Sequence, residues 1–185
     1  MTKFVEALKR IGTASWRSAI VCAAATVLAV ALQSCSMVRN FSEGVAHPMT
    51  PEESRAQVVN AARDIVRILG LKGVSAHFSR ESCNDQAVAP FRGVVGIAYD
   101  HAPTLEESRA EIQRMLAVLK QQGWTDPGDF HTHAPAVSKQ GVTAVFDAYS
   151  PVQNFGGSVT IYGECRDMTT KENTVPEPIP ADQLK

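Results

Sequence analysis

Aromatic residues are scarce, 6% of 185 residues, so the chain offers little material for a large apolar ligand cavity. No excess of one charge is present either: 18 basic against 19 acidic residues give a formal net charge of -1, which removes any electrostatic reason to seek nucleic acid. No Cys-x-x-Cys spacing occurs, and with it go the dithiol redox motif and the usual zinc spacings. No Gly-x-Ser-x-Gly surrounds a serine, so Ser82 beside Cys83 lacks the context of a hydrolase nucleophile. Gly93, Gly96, Gly156 and Gly157 fall in expected strands and turns rather than in a phosphate-cradling loop. The longest uncharged apolar run, Ala19 to Leu32, rises roughly 21 Å as a helix and falls short of the ~30 Å hydrocarbon core.

That run is flanked in a particular order. Lys3, Lys9, Arg10 and Arg17 precede it, and Leu32-Gln33-Ser34-Cys35 follows it. A basic region, a short apolar region and a small residue before the cut form the pattern of an export signal; a single N-terminal anchor helix is the alternative. Leu-x-Ser-Cys resembles the lipobox of bacterial lipoproteins, in which the Cys thiol is acylated and the chain is cut before it. Gln33 is bulkier than the lipobox usually carries. The resemblance implies residues 1–34 as a lipoprotein signal peptide and Cys35 as the lipid carrier, a role that needs a thiol nucleophile. Several acyl chains on one residue would hold a membrane where one chain binds only marginally. Removing a segment of net charge +3 takes the mature chain from -1 to -4.

Cys22 leaves with that segment and Cys35 carries lipid, so Cys83 and Cys165 remain. In an oxidising compartment they are expected to pair; two buried thiols or half of a metal site are the alternatives.

Residues 35–49 have no apolar period and read as the lipidated Cys with a flexible tether, roughly 20 Å in reach. Thr50-Pro51-Glu52-Glu53 opens a helix with a capping box, followed by Val58, Ala62, Ile65, Val66 and Leu69 at helical spacing and a stop at Gly70. Thr104-Leu105-Glu106-Glu107 repeats the device before Ile112, Met115, Leu116 and Leu119, with Gly123 as the stop. TPEESRAQV and TLEESRAEI agree at six of nine positions, which suggests an internal duplication. Alternation predicts strands at Val74 to Ser79, Arg92 to Asp100, Asp129 to His133, Gly141 to Ser150 and Gly157 to Cys165. The expected fold is α+β in the order αββ-αβββ. Two helices would pack on one face of an antiparallel sheet of about five strands, forming a single domain over 50–167. Residues 168–185, with Pro176, Pro178 and Pro180, read as a disordered tail.

Ser82-Cys83-Asn84-Asp85-Gln86, Phe91-Arg92-Gly93, Gly123-Trp124, Gly141-Val142-Thr143-Ala144 and Gly163-Glu164-Cys165-Arg166 together resemble the LppJ-type lipoproteins of mycobacteria, from about His47 to Arg166. The resemblance implies a lipid-anchored envelope protein on the extracytoplasmic face. It supports Cys35 as lipid site and Cys83 with Cys165 as a disulfide, and it carries over no catalytic residue.

Candidate chemistry is thin. His131 and His133 fall on one face of the expected short strand and His77 on the wet face of another; with no third ligand evident, exposed histidines are the simpler reading and no metal or cofactor is assigned. Arg92 and Glu164 either pair across the sheet or face water, and the second is expected. Trp124 is expected to plug the core at the end of the second helix. Two helices cover one sheet face, so the other, carrying His77, Arg92, His131, His133, Thr143, Asp147, Thr160, Tyr162 and Glu164, could meet a protein or glycan partner. A non-enzymatic binding module is therefore the leading reading. A carrier of lipid or another amphiphile, which needs a cavity between sheet and helices, comes second.

Overall fold

The computed structural model describes residues 44–150 and 157–185. Segment 1–34, Cys35 and most of the expected tether lie outside the described residues. The chain divides into Met1–Ala46 and His47–Lys185, and all elements below belong to the second unit.

Helix α1 (Pro51–Leu69) begins where sequence chemistry places it. The Thr50 side chain accepts from Glu53 N at 3.1 Å, and Glu53 Oε2 accepts from Thr50 N at 2.8 Å, so two amides left open at the helix start are satisfied reciprocally. Gly70 closes the helix at φ +62°, a left-handed turn that costs glycine little. Helix α2 (Leu105–Gln121) is capped by Thr104, which accepts from Glu107 N at 3.2 Å.

Six strands form one sheet: β1 (Ser75–Ser82), β2 (Phe91–Ala98), β3 (Ala136–Lys139), β4 (Val142–Asp147), β5 (Ser158–Tyr162) and β6 (Glu177–Pro178). The order is β3-β4-β5-β2-β1-β6, every pair antiparallel. One face carries Ala76, Phe78, Val95, Ile97, Val137, Ala144, Phe146, Val159 and Ile161, which join Val58, Ala62, Ile65, Ile112 and Leu119 of the helices in a single buried cluster. Trp124 is part of it, as expected of a core plug. Gly93 lets α1 approach β2: its N–H donates to Ser54 Oγ at 2.9 Å, and a Cβ there would lie 2.7 Å from the Ser54 carbonyl oxygen.

Three expectations need correction. Residues 129–133 are not a strand; the third strand lies at Ala136–Lys139, beyond Pro135. Val137 there is fully buried, and burial of one apolar side chain in a pleated pair outweighs the alternation around the histidines. Residues 168–185 are no loose tail. They supply β6 on the open edge of β1 and a short 3-10 helix (Ala181–Leu184), burying Ile179 and Leu184. Arg63 Nε donates to Gln183 O at 2.8 Å. The prolines mark an edge strand, where a missing donor can face solvent. The tether is also shorter than 35–49, because Met49 N donates to Arg166 O at 2.8 Å and forms a bridge with Asp167.

The topology carries the suspected duplication, with halves that are not simply consecutive. An axis normal to the sheet between β2 and β5 exchanges β2 with β5, β1 with β4 and β6 with β3, reversing strand direction as a two-fold must. The corresponding halves are thus α1-β1-β2 and α2-β4-β5, with β3 and its leading loop inserted in the second. Sequence agrees: Val74-Ser75-Ala76-His77-Phe78 matches Val142-Thr143-Ala144-Val145-Phe146, and Gly93-x-Val95-x-Ile97 matches Gly157-x-Val159-x-Ile161.

Candidate functional site

The sheet face away from the helices is built by the alternate residues of the same strands. Arg92 sits directly opposite Glu81 on β1 and diagonal to Tyr162, which is opposite Val94 on β5. Long side chains on such diagonals meet. The Arg92 guanidinium lies 4.4 Å from the centre of the Tyr162 ring and 5.9 Å from that of Phe130. Phe130 in turn packs on Tyr162 at 5.3 Å between centroids.

Arg92 Nη2 is 3.9 Å from Glu81 Oε2, too long for a hydrogen bond. Its Nε is buried without a partner among the described residues. Ring contact more than hydrogen bonding therefore holds the guanidinium, a geometry open to arginine and less to lysine. Burial raises the Tyr162 phenol above its ordinary pKa and Glu81 adds to this, while Arg92 opposes it; the hydroxyl stays protonated at neutral pH.

Of the residues expected on this face, His77 and Asp147 are exposed, Thr160 is half-buried, Thr143 is buried, and Arg92 and Tyr162 form the centre. Glu164 is not there. The β2–β5 pairing ends at Tyr162, and Glu164 turns back toward α1, where its Oε2 accepts from Gln57 Nε2 at 2.7 Å and from Arg166 Nη1 at 3.1 Å. Arg92 thus neither pairs with Glu164 nor simply faces water. His131 and His133 stand exposed in the loop before β3 rather than on a strand.

Phe130 escaped sequence reasoning because reading 129–133 as a strand with His131 and His133 on the wet face turns Phe130 to the opposite side, whereas the segment is a loop. Val94 and Val145 escaped for a related reason, since buried valines on the supposedly wet face break the alternation.

Ser82 serves the β1–β2 connection: its hydroxyl donates to Val88 O at 2.6 Å. Cys83 in that connection is disulfide-bonded to Cys165 beyond β5, with Cα atoms 6.0 Å apart. The neighbouring Asp167 is fully buried and was not visible in the sequence. Burial alone would raise its pKa; the hydroxyl and N–H of Thr170, with those of Thr169, outweigh it and hold the carboxyl below its ordinary value.

Such a group stabilises the fold above its unfolded pKa of about 3.9, and this contribution disappears as pH falls through the lower folded value. Asp167→Asn is expected to cost about 2 kcal/mol at neutral pH. Urea titrations at a series of pH values would show it, with the difference from wild type shrinking in acid. An equal difference at every pH would contradict the assignment.

Clefts of about 470, 360 and 260 Å³ open at the edges of the body. The first is lined by Arg109, Ala110, Ile112 and Gln113 of α2 and by Phe146, Asp147 and Ala148 at the end of β4, while the apolar residues between sheet and helices form the buried cluster. Among the described residues no helix is long and apolar enough to cross a membrane.

Fold and site define a disulfide-tied α+β body with a cationic and aromatic patch on its free sheet face. Residues 50–181 match the family model described as "Putative lipoprotein LppJ", and the chain belongs to that family. It is 36% identical over 131 residues to proteins named "Putative lipoprotein LppJ" from Mycobacterium tuberculosis and Mycobacterium bovis, covering 67% of this chain and 65% of theirs. The chain thus spans about 65% of the length of the curated relatives it matches. No solved structure matches it.

Proposed function

We propose that this chain is an accessory protein of the cell envelope, anchored on the extracytoplasmic face through lipid on Cys35. In this reading it engages a protein partner without catalysis, through the sheet face around Arg92 and Tyr162. The observation that carries the binding role is the Arg92, Tyr162 and Phe130 cluster, in which the arginine side chain keeps 22% of its exposure. Arginine and tyrosine are prominent among residues that dominate protein interfaces, and a guanidinium already held on a ring loses little entropy on binding. Two supports for the anchor are the family name and the pairing of Cys83 with Cys165, which leaves the Cys35 thiol for acylation. A non-enzymatic role accords with Ser82 being committed to its own loop and with His77, His131 and His133 standing at exposed positions. The carrier of a lipid or other amphiphile stays second, because the apolar residues facing each other across sheet and helices form one buried cluster.

Cross-linking in envelopes followed by affinity capture tests the proposal. Arg92→Ala and Tyr162→Ala should each reduce recovery of a specific partner by about tenfold or more. A partner recovered equally with both variants would count against this face.

A further inference from the structure

The connection between β1 and β2, residues 83–90, satisfies its polar backbone from within. Asn84 does most of this: its Oδ1 accepts from Gln86 N at 3.0 Å and from Val88 N at 3.4 Å, and its Nδ2 donates to Val88 O at 3.0 Å and to Ala89 O at 3.3 Å. Ala87 N donates to Asn84 O at 3.4 Å, and Cys83 N to Pro90 O at 2.9 Å. The disulfide to Cys165 ties the base of the loop to the body. At its tip the loop presents an apolar side chain: Val88 is 51% exposed, next to exposed Ala87 and half-buried Ala89. A backbone already hydrogen-bonded loses little on leaving water, and covering an exposed valine is favourable.

The chain enters the body at this same end of the sheet. Arg166 Nε donates to His47 O at 2.6 Å and Met49 N donates to Arg166 O at 2.8 Å, next to the disulfide of Cys165. Cys35 precedes His47 by 12 residues, at most about 40 Å of chain. Strands β1 and β2, of 8 residues each, place Val74 and Ala98 roughly 26 Å from the loop. That far end can meet the leaflet holding Cys35 only if most of the tether is laid back along the body, whereas the loop end meets it with length to spare.

Charge around the loop is mixed. Asp85 is exposed beside the tip, and Lys171 and Glu172 are exposed on the segment whose Asn173 Oδ1 accepts from Ser82 N at 2.7 Å. Neither sign dominates, so nothing here selects anionic headgroups. Asp85 also limits depth, because its carboxylate keeps to water while Val88 reaches the boundary between headgroups and acyl chains.

We propose that residues 84–89 form a membrane-contacting tip that seats Val88 in the lipid surface holding the Cys35 anchor. The inference rests on the anchored reading given above and adds an orientation to it. The sheet end with the disulfide faces the bilayer. Arg92, second in β2, and Tyr162, last in β5, lie toward that end, so their cluster is presented to partners close to the membrane surface.

The test uses the lipidated full chain, methyl-labelled at valine, in phosphatidylcholine nanodiscs that carry a spin label on some headgroups. Val88, Val74 at the far end and Val118 on α2 report on the native chain without substitution. NMR is expected to show loss of the Val88 methyl signals and of the Gln86 and Ala87 amides, with Val74 and Val118 retained, and the same pattern when anionic lipid is added. Val88→Asp leaves the loop's backbone bonds intact and should restore the Gln86 and Ala87 signals while the protein stays on the discs; Val118→Asp should change nothing. Failure of the discs to retain the wild-type chain would remove the anchor and this proposal with it. Retention with Val88 unaffected, or with Val88 and Val74 equally attenuated, would overturn the tip and leave the anchor standing. Loss of the Val88 signals in anionic discs alone would overturn the apolar contact.

Discussion

Replacing Cys83 and Cys165 together by serine is expected to lower the folding free energy by about 4 kcal/mol in the chain-entropy model. The two sulfurs close a loop of sequence separation 82, which spans β2, α2, β3, β4 and β5. Without the cross-link the unfolded chain regains the conformations that this loop forbids. The double variant is the proper test, because a single replacement leaves a thiol free to form the wrong pair. Urea titration of wild type and variant measures the difference. A cost well under 1 kcal/mol would mean that the contacts around Cys165 already hold the unfolded chain or that the bond strains the native one. Those contacts are Met49 to Arg166, Phe91 to Asp167 and Glu164 to Gln57.

Phe78→Ala should cost about 3 to 5 kcal/mol, the range for deleting a buried aromatic ring. Phe78 is 1% exposed, and its neighbours cannot easily close the gap. Gly93 faces it from β2 with no side chain to move, and Arg55 and Arg80 lie against it with their charges tied to the surface. Phe78→Leu, which keeps most of the volume, should cost far less. Denaturant midpoints for the pair separate cavity formation from loss of ring contacts with the two guanidiniums. Equal costs for alanine and leucine would show that ring contact, rather than volume, is what the fold requires.

Local chemistry made much of this structure readable. Thr50 with Glu53, and Thr104 with Glu107, announce both helix starts because capping depends on residues three apart. Val142 to Phe146 and Phe91 to Ala98 announce strands because each lies between turn residues and is rich in β-formers. Pairing partners are another matter. Nothing local says that β5 inserts between β4 and β2, so the deeper duplication, in which Ala76 and Phe78 correspond to Ala144 and Phe146, emerges only from sheet order. Pro176, Pro178 and Pro180 suggested disorder since proline donates no ladder hydrogen bond. The edge of β1 tolerates that loss, and Ile179 and Leu184 supply apolar burial too sparse to register as a period.

The free sheet face was legible at Arg92 and Tyr162, whose parity follows from Phe91, Val95 and Ile161 pointing inward. Glu164 was misplaced because alternation was extended past the last paired residue, where Gln57 of α1 offers both an acceptor for its N–H and a donor for its carboxylate. Phe130 was missed because the alternation read around His131 and His133 turned it away from this face, and a loop does not follow that alternation.

Intact-mass and peptide mass spectrometry of the protein taken from the envelope of its native host addresses the anchoring on which the rest depends. The expected product begins at Cys35 and carries acyl chains on that residue, with no peptide from 1–34 attached. Recovery of the chain with residues before Cys35 still joined to it and the thiol unacylated would contradict the account.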